Sequence, residues 1–184
     1  MNHTSAKGQT LQSSSIRQHV MCAFFTAVMA VFSQIIIPIQ PVPISMGSMA
    51  ALMAGAILGK KYGALSMILY ILLGAVGLPV FAAARSGLPV IFGPGGGFIA
   101  GYVLMAFFVG WIAEKYGYRL QVMIPAMAGG TLICYACGLA WFMVLTKTGL
   151  WAALTMCVFP FIIGDIVKVC LGAVLVNRYK KYVF

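Results

Sequence analysis

Residues 44–78 read ISMGSMAALMAGAILG, then KK, then YGALSMILYILLGAVGL. Two apolar runs, Ile44 to Gly59 and Tyr62 to Leu78, flank the pair Lys60-Lys61, and the second stops at Pro79. In lipid every backbone N–H and C=O must find a partner inside its own segment, so runs this apolar are expected to be helices. Working outward, an earlier run from Val20 to Ile37 ends at Pro38 and the string Gln40-Pro41-Val42-Pro43. No small-residue cleavage site follows it, which predicts a retained first helix and not a signal peptide. Beyond Pro79 a Gly/Pro-rich connection, Val80 to Gly97, leads to runs at Phe98–Ala113, Gln121–Leu145 and Leu154–Val176. The expectation is an all-α integral membrane protein: a compact six-helix transmembrane bundle.

Composition agrees. Of 184 residues 62% are hydrophobic and 8% are charged, against about half and about a quarter in soluble domains. That excludes an ordinary globular enzyme, a disordered tail and a disulfide scaffold. The net charge of +10, from 12 Lys+Arg and 2 Asp+Glu, would suggest nucleic acid in a soluble protein. Here the positions of the charges give a different meaning. With the N-terminus inside, Lys7, Arg17, Lys60, Lys61, Lys115, Arg119, Arg178, Lys180 and Lys181 all fall on the cytoplasmic side. Only Arg85 and Lys147 fall opposite, and Lys168 lies inside the last run. Cytoplasmic loops concentrate Lys and Arg, so both termini are expected in the cytoplasm and no nucleic-acid partner is implied. Residues 1–19 then form a polar cytoplasmic leader, 20–178 the membrane domain and 179–184 a basic cytoplasmic tail.

Catalytic chemistry has little to build on. Gly55 to Lys61 lacks the spacing and hydroxyl of a phosphate-binding loop, and the two acids, Glu114 and Asp165, are far apart in the chain. Cys134 and Cys137 have the spacing of a metal or redox pair but no second ligand pair, so they are expected to pack as small residues on one helix face. Gly93-Pro94-Gly95-Gly96-Gly97 lacks a following lysine and hydroxyl and is expected to be an irregular external turn. No metal and no cofactor is expected.

Three features do point to function. Asp165 and Lys168 fall within the last apolar run, three positions apart on one helix face. Charges at membrane depth are costly and line polar cavities; the alternative is an ion pair that neutralises itself in the bundle. Pro160, just upstream, is expected to loosen the helix before the pair. Arg85, in a loop of small residues, either holds a ligand carboxylate in a bidentate fork or is a solvated loop charge. Phe81, Phe98 and Tyr135 either wall a pocket or simply pack between helices. Ala23 and Ala27 form a small-xxx-small pair on the first helix, suited to close approach of a helix from within the bundle or from a partner.

Four strings occur in an order that resembles the BioY family: Pro41-Val-Pro-Ile-Ser45, the run LGAVGLPVFA at 73–82, Gly93-Pro-Gly-Gly-Gly-Phe98, and Gly164-Asp165-Ile-Val-Lys168. BioY proteins are the biotin-binding S components of energy-coupling factor (ECF) transporters, and the resemblance covers roughly residues 20–178. It implies capture of biotin from outside without enzymatic activity, in a bacterial plasma membrane. Partners implied are a transmembrane coupling protein and two cytoplasmic ATPases. It would place Asp165 and Lys168 at the biotin head group, Arg85 at the valerate carboxylate, and Ala23 and Ala27 against the coupling protein. The chain departs from the pattern at Ile163, where members often carry proline, and at Gly47, where they often carry a polar residue. A different vitamin or small heterocycle on the same scaffold, a membrane adaptor with a basic face, and proton-coupled uptake through Asp165 are the competing readings.

Overall fold

The computed structural model describes residues 3–38 and 42–183, with side chains described for 16–38 and 42–178. Gln40 and Pro41, and the side chains of Lys7, Lys180 and Lys181, lie outside these ranges. The element order is α1 (His3–Gln34), β1 (Ile36–Ile37), β2 (Ile44–Ser45), α2 (Gly47–Val76), a 3₁₀ turn (Ala82–Ala84), α3 (Leu88–Ile91), α4 (Gly96–Tyr116), α5 (Leu120–Thr146), α6 (Leu150–Cys157) and α7 (Phe159–Val183). Among the described residues five helices are long and apolar enough to cross a membrane: Ile16–Gln34, Gly47–Val76, Gly96–Tyr116, Leu120–Thr146 and Phe159–Arg178.

Helix α2 spans the two runs flanking the lysine pair, and it is not straight. At a rise of about 1.5 Å per residue, 30 helical residues would reach about 45 Å, well beyond a hydrocarbon core of about 30 Å. Instead the helix breaks at Gly59, whose φ of 78° and ψ of 179° are outside the helical region. A Cβ on Gly63 would lie 2.7 Å from Gly55 Cα, whereas residues eight apart on one straight helix are about 12 Å apart. The chain therefore reverses direction at Gly59. Glu114, one of the two acids, closes this corner from α4. Its carboxylate accepts the Lys60 backbone N–H at 2.9 Å and pairs with Lys60 Nζ at 3.2 Å. α2 ends at Gly77, in the left-handed conformation (φ 112°), with the Gly77 and Leu78 N–H groups returned to Gly74 and Leu73 carbonyls. A left-handed glycine is a common helix end, and it stops α2 two residues short of the Leu78 expected from the sequence.

Packing rests on small residues. α2 lies mainly against α4, and α4 against α5. Gly55 faces the Ala106 backbone and Gly110 faces the backbone of Gly59 and Lys60, so closely that a Cβ at either would overlap its neighbour. Lipid supplies no hydrophobic drive between helices, so close backbone approach at glycine is what gains dispersion energy. The outward faces stay apolar, with Val144 and Ile163 nearly four-fifths exposed at 79% and 78%, as a lipid-facing surface requires.

Several expectations need correction. The first helix stops at Gln34 and the second starts at Gly47, because Ile36–Ile37 and Ile44–Ser45 pair as a short antiparallel ladder. Among the described residues the regular structure is thus helical apart from two residues in each of two strands. The last run does not begin at 154: α6 ends at Cys157, Val158 leaves the helical region (φ −125°, ψ −54°), and α7 begins at Phe159. Pro160 is the second residue of α7, where its missing N–H costs nothing and its fixed φ favours the start of a helix. It initiates the helix that was expected to loosen there. The polar leader is helical from His3 onward.

Replacing Gly110 with leucine is expected to lower the stability of the purified protein by about 3 kcal/mol through overpacking, whereas Gly149→Ala, which meets nothing within 4 Å, should change it by less than about 0.5 kcal/mol. Thermal unfolding in detergent reads both; equal midpoints would show that α2 and α4 can separate without cost.

Candidate functional site

Asp165 and Lys168 lie one turn apart on α7, and both are buried, at 7% and 5% exposure. Lys168 Nζ donates to Asp165 Oδ1 at 2.8 Å, to the Ser45 carbonyl at 2.7 Å and to Ser48 Oγ at 3.0 Å. An ammonium has three N–H bonds, and here each has an acceptor. Asp165 Oδ2 accepts the Tyr135 hydroxyl at 2.5 Å. The ion pair expected as the bland alternative is therefore present. It also faces space, since Asp165, Lys168 and Tyr135 all line a small cavity of about 30 Å³, the size of one water molecule. Phe98 and Phe161 wall this cavity and stack on each other with centroids 6.2 Å apart and planes 5° from parallel.

A second cavity of about 300 Å³ lies next to the first and shares Val42, Pro43, Ser45, Phe98 and Tyr102 with it. That volume is at the lower end of small-molecule sites. Its wall includes Phe81, Arg85, Ser33, Tyr70 and the turn Gly93-Pro94-Gly95. Phe81 is buried at 1% exposure, its ring over Gly74 and edge-on to Tyr70 at 5.4 Å. Tyr70 Oη and Ser33 Oγ are 2.9 Å apart, and Ser33 Oγ also donates to the Met29 carbonyl at 2.7 Å. Arg85 is exposed, with its Nε donating to the Ala82 carbonyl at 3.2 Å. Asp165, Lys168 and Tyr135 thus form one cluster, while Phe81 and Arg85 line the adjoining chamber.

Local sequence explains how the wall is held. Of the irregular turn expected at Gly93–Gly97 only Gly93–Gly95 is a turn; Gly96 and Gly97 already form the start of α4, and the segment seats against α5. A Cβ on Gly97 would overlap Trp141, and Trp141 Nε1 donates to the Gly93 carbonyl at 3.0 Å. Cys134 is buried, with its thiol at 3.6 Å from the Phe98 carbonyl, and it lines the small cavity. The turn carrying Arg85 closes through Phe81 N–H to the Arg85 carbonyl at 3.1 Å. Ala83 and Ala84 within it are left-handed (φ 61° and 53°), a conformation that costs alanine about 1–2 kcal/mol per residue. Gln34, the last residue of α1, braces it: its amide oxygen accepts the Ala84 N–H at 2.9 Å.

Ala23 and Ala27 are exposed on α1 and belong to neither cavity. They sit in an outward stripe with Val20, Phe24 and Val31. Sequence reading missed Ser45, Ser48, Tyr102, Ser33, Tyr70 and Gln34. Each is polar and lies in or beside an apolar run, and that was the available signal.

The chain matches the sequence model of the BioY family over residues 3–184. It is 36% identical over 166 residues to a biotin transporter BioY of Thermotoga maritima, covering 90% of this chain and 97% of that protein. It is 38% identical over 153 residues to a biotin transporter BioY of Rhodobacter capsulatus, covering 77% and 80%. A probable biotin transporter BioY of Pyrococcus horikoshii is 35% identical over 158 residues, covering 86% and 93%. Among solved structures, the S-component for biotin from an ECF-type ABC transporter superposes with a TM-score of 0.84 at 28% identity, covering 92% of this chain and 93% of that one. These relatives are named as transporters, and with them the chain belongs to the BioY family.

Proposed function

We propose that this chain is the biotin-binding S component of an ECF transporter, a multi-pass protein of a bacterial plasma membrane. The observation that carries the reading is the buried Asp165 carboxylate, fixed by Lys168 and Tyr135 and facing a cavity. A ureido ring offers two N–H donors and one C=O acceptor. A carboxylate has about four acceptor positions, and Lys168 and Tyr135 occupy two of those on Asp165. The remaining lone pairs suit the two ureido N–H groups. Lys168 has no spare N–H, so a ligand carbonyl there replaces its bond to Ser48 or Ser45. Arg85 and Phe81 on the adjoining chamber suit a carboxylate and an alkyl chain, respectively.

The same reading gives six membrane crossings, with α2 contributing two through its reversal at Gly59 and both termini in the cytoplasm. The basic residues Lys60, Lys61, Lys115 and Arg119 would then border the cytoplasm. A transmembrane coupling protein would seat on the exposed Ala23 and Ala27 of α1, with two cytoplasmic ATPases driving uptake. Its similarity to named biotin transporters supports this reading over another vitamin, an adaptor or proton-coupled uptake.

Titration of the detergent-purified chain against biotin, riboflavin and thiamine tests the assignment. Biotin alone is expected to bind, and Asp165→Asn and Lys168→Ala should each weaken it at least tenfold, because each strands a buried polar group. Undiminished binding in the double variant would sink the site.

The ion pair also carries stability. Lys168→Met without ligand should destabilise the bundle by about 3–5 kcal/mol, because it leaves Asp165 buried and unpaired. Adding Asp165→Asn should recover part of that loss in thermal unfolding; no recovery would mean that the pair is not energetically coupled.

A further inference from the structure

We infer that Gln34 is a positioning residue for ligand retention: it latches the Phe81–Arg85 turn against the end of α1 and so sets how fast a ligand leaves the larger chamber. This rests on the proposed binding function, and it concerns a residue that touches neither chamber itself.

The geometry is specific to one side chain. Gln34 Nε2 lies 3.1 Å from the Val80 carbonyl, 3.2 Å from that of Phe81 and 3.4 Å from that of Pro79. It is also 3.2 Å from the Ala30 carbonyl on its own helix. Its Oε1 accepts the Ala84 N–H at 2.9 Å. An amide side chain carries both donors and an acceptor, and this turn offers carbonyls on one side and an N–H on the other. A carboxylate of the same size would keep the bond to Ala84 and set a negative charge against the carbonyls.

The turn needs a brace. Ala83 and Ala84 are left-handed, so a free turn of this sequence relaxes towards other conformations. Phe81 is held by its ring over Gly74 and beside Tyr70, but the stretch from Ala82 to Arg85 has no buried residue to hold it. Gln34 reaches that stretch through Ala84, next to Arg85, whose side chain lines the larger chamber. Loss of the latch lets Ala83 and Ala84 relax, moves Arg85 off the chamber and opens its wall. The effect falls on dissociation more than on association, because the latch acts on the closed turn.

Two measurements on the full-length protein in detergent test this. Gln34→Met keeps the length of the side chain and removes its hydrogen bonds; Gln34→Glu keeps the acceptor and removes the donors. Both are expected to raise the biotin dissociation rate at least fivefold while changing the association rate less than twofold. Hydrogen–deuterium exchange without ligand should accelerate about tenfold in peptides covering residues 79–87 and stay unchanged in those covering 126–142 of α5. Gln34→Asn, one methylene too short to reach Ala84, supplies the comparison if either variant fails to fold. Wild-type protein that does not bind biotin would overturn the proposed function, while the exchange experiment still judges the latch. Exchange at 79–87 that is unchanged, or accelerated equally throughout the bundle, overturns the latch.

Discussion

A lysine ammonium inside an apolar bundle must place three N–H bonds, and the positions of the acceptors around Lys168 organise the centre of this protein. Asp165 on α7, the Ser45 carbonyl on β2 and Ser48 at the start of α2 each take one. The two serines lie 123 and 120 residues from the lysine in sequence, so one side chain ties the last helix to β2 and to the start of α2. The carboxylate that balances the charge is in turn fixed by Tyr135 on α5. A buried charge is tolerable only when fully partnered, and satisfying this one brings four segments to the edge of a cavity.

The surrounding framework answers a different constraint. Without water between helices, contact energy comes from close approach, and glycines allow α2, α4 and α5 to meet backbone to backbone. The two acids of the chain both serve as anchors. Asp165 partners the buried lysine, and Glu114 holds the corner at Gly59 where α2 turns back. The sharp corner lets α2 supply two packed segments, and it occurs beside the lysine pair that marks the division between the two runs.

Much of this was legible in the sequence because membrane spans and intramembrane charges leave local traces. The apolar runs locate the long helices, and Asp165 with Lys168 stands out because two charges interrupt one such run. The ladder at 36–37 and 44–45 has too few residues to show a period. Hydropathy runs continuously through Val158 and does not mark the start of α7, while the helix obeys the backbone preference of Pro160. Ser45, Ser48 and Tyr102 were hidden for another reason: their importance comes from partners or cavities assembled across the fold. A polar residue in or beside an apolar run is common, so Ser48 is not singled out as the hydroxyl that meets a buried charge, and Ser45 contributes a backbone carbonyl that any residue carries. Gln34 was invisible in the same way, since its meaning depends on a turn more than forty positions downstream.

The chamber walls also have a thermodynamic consequence. They are gathered from within residues 33, 42–48, 70, 81–105, 131–135 and 161–168, and no contiguous stretch of chain builds either one. An unfolded chain therefore has almost no affinity for whatever fills them. Occupancy must then be linked to integrity of the whole bundle, adding RT ln(1 + [L]/Kd), or about 4 kcal/mol at a thousandfold excess over Kd. A protein assembled in this way is most fragile when empty, and its own cargo serves as its stabiliser.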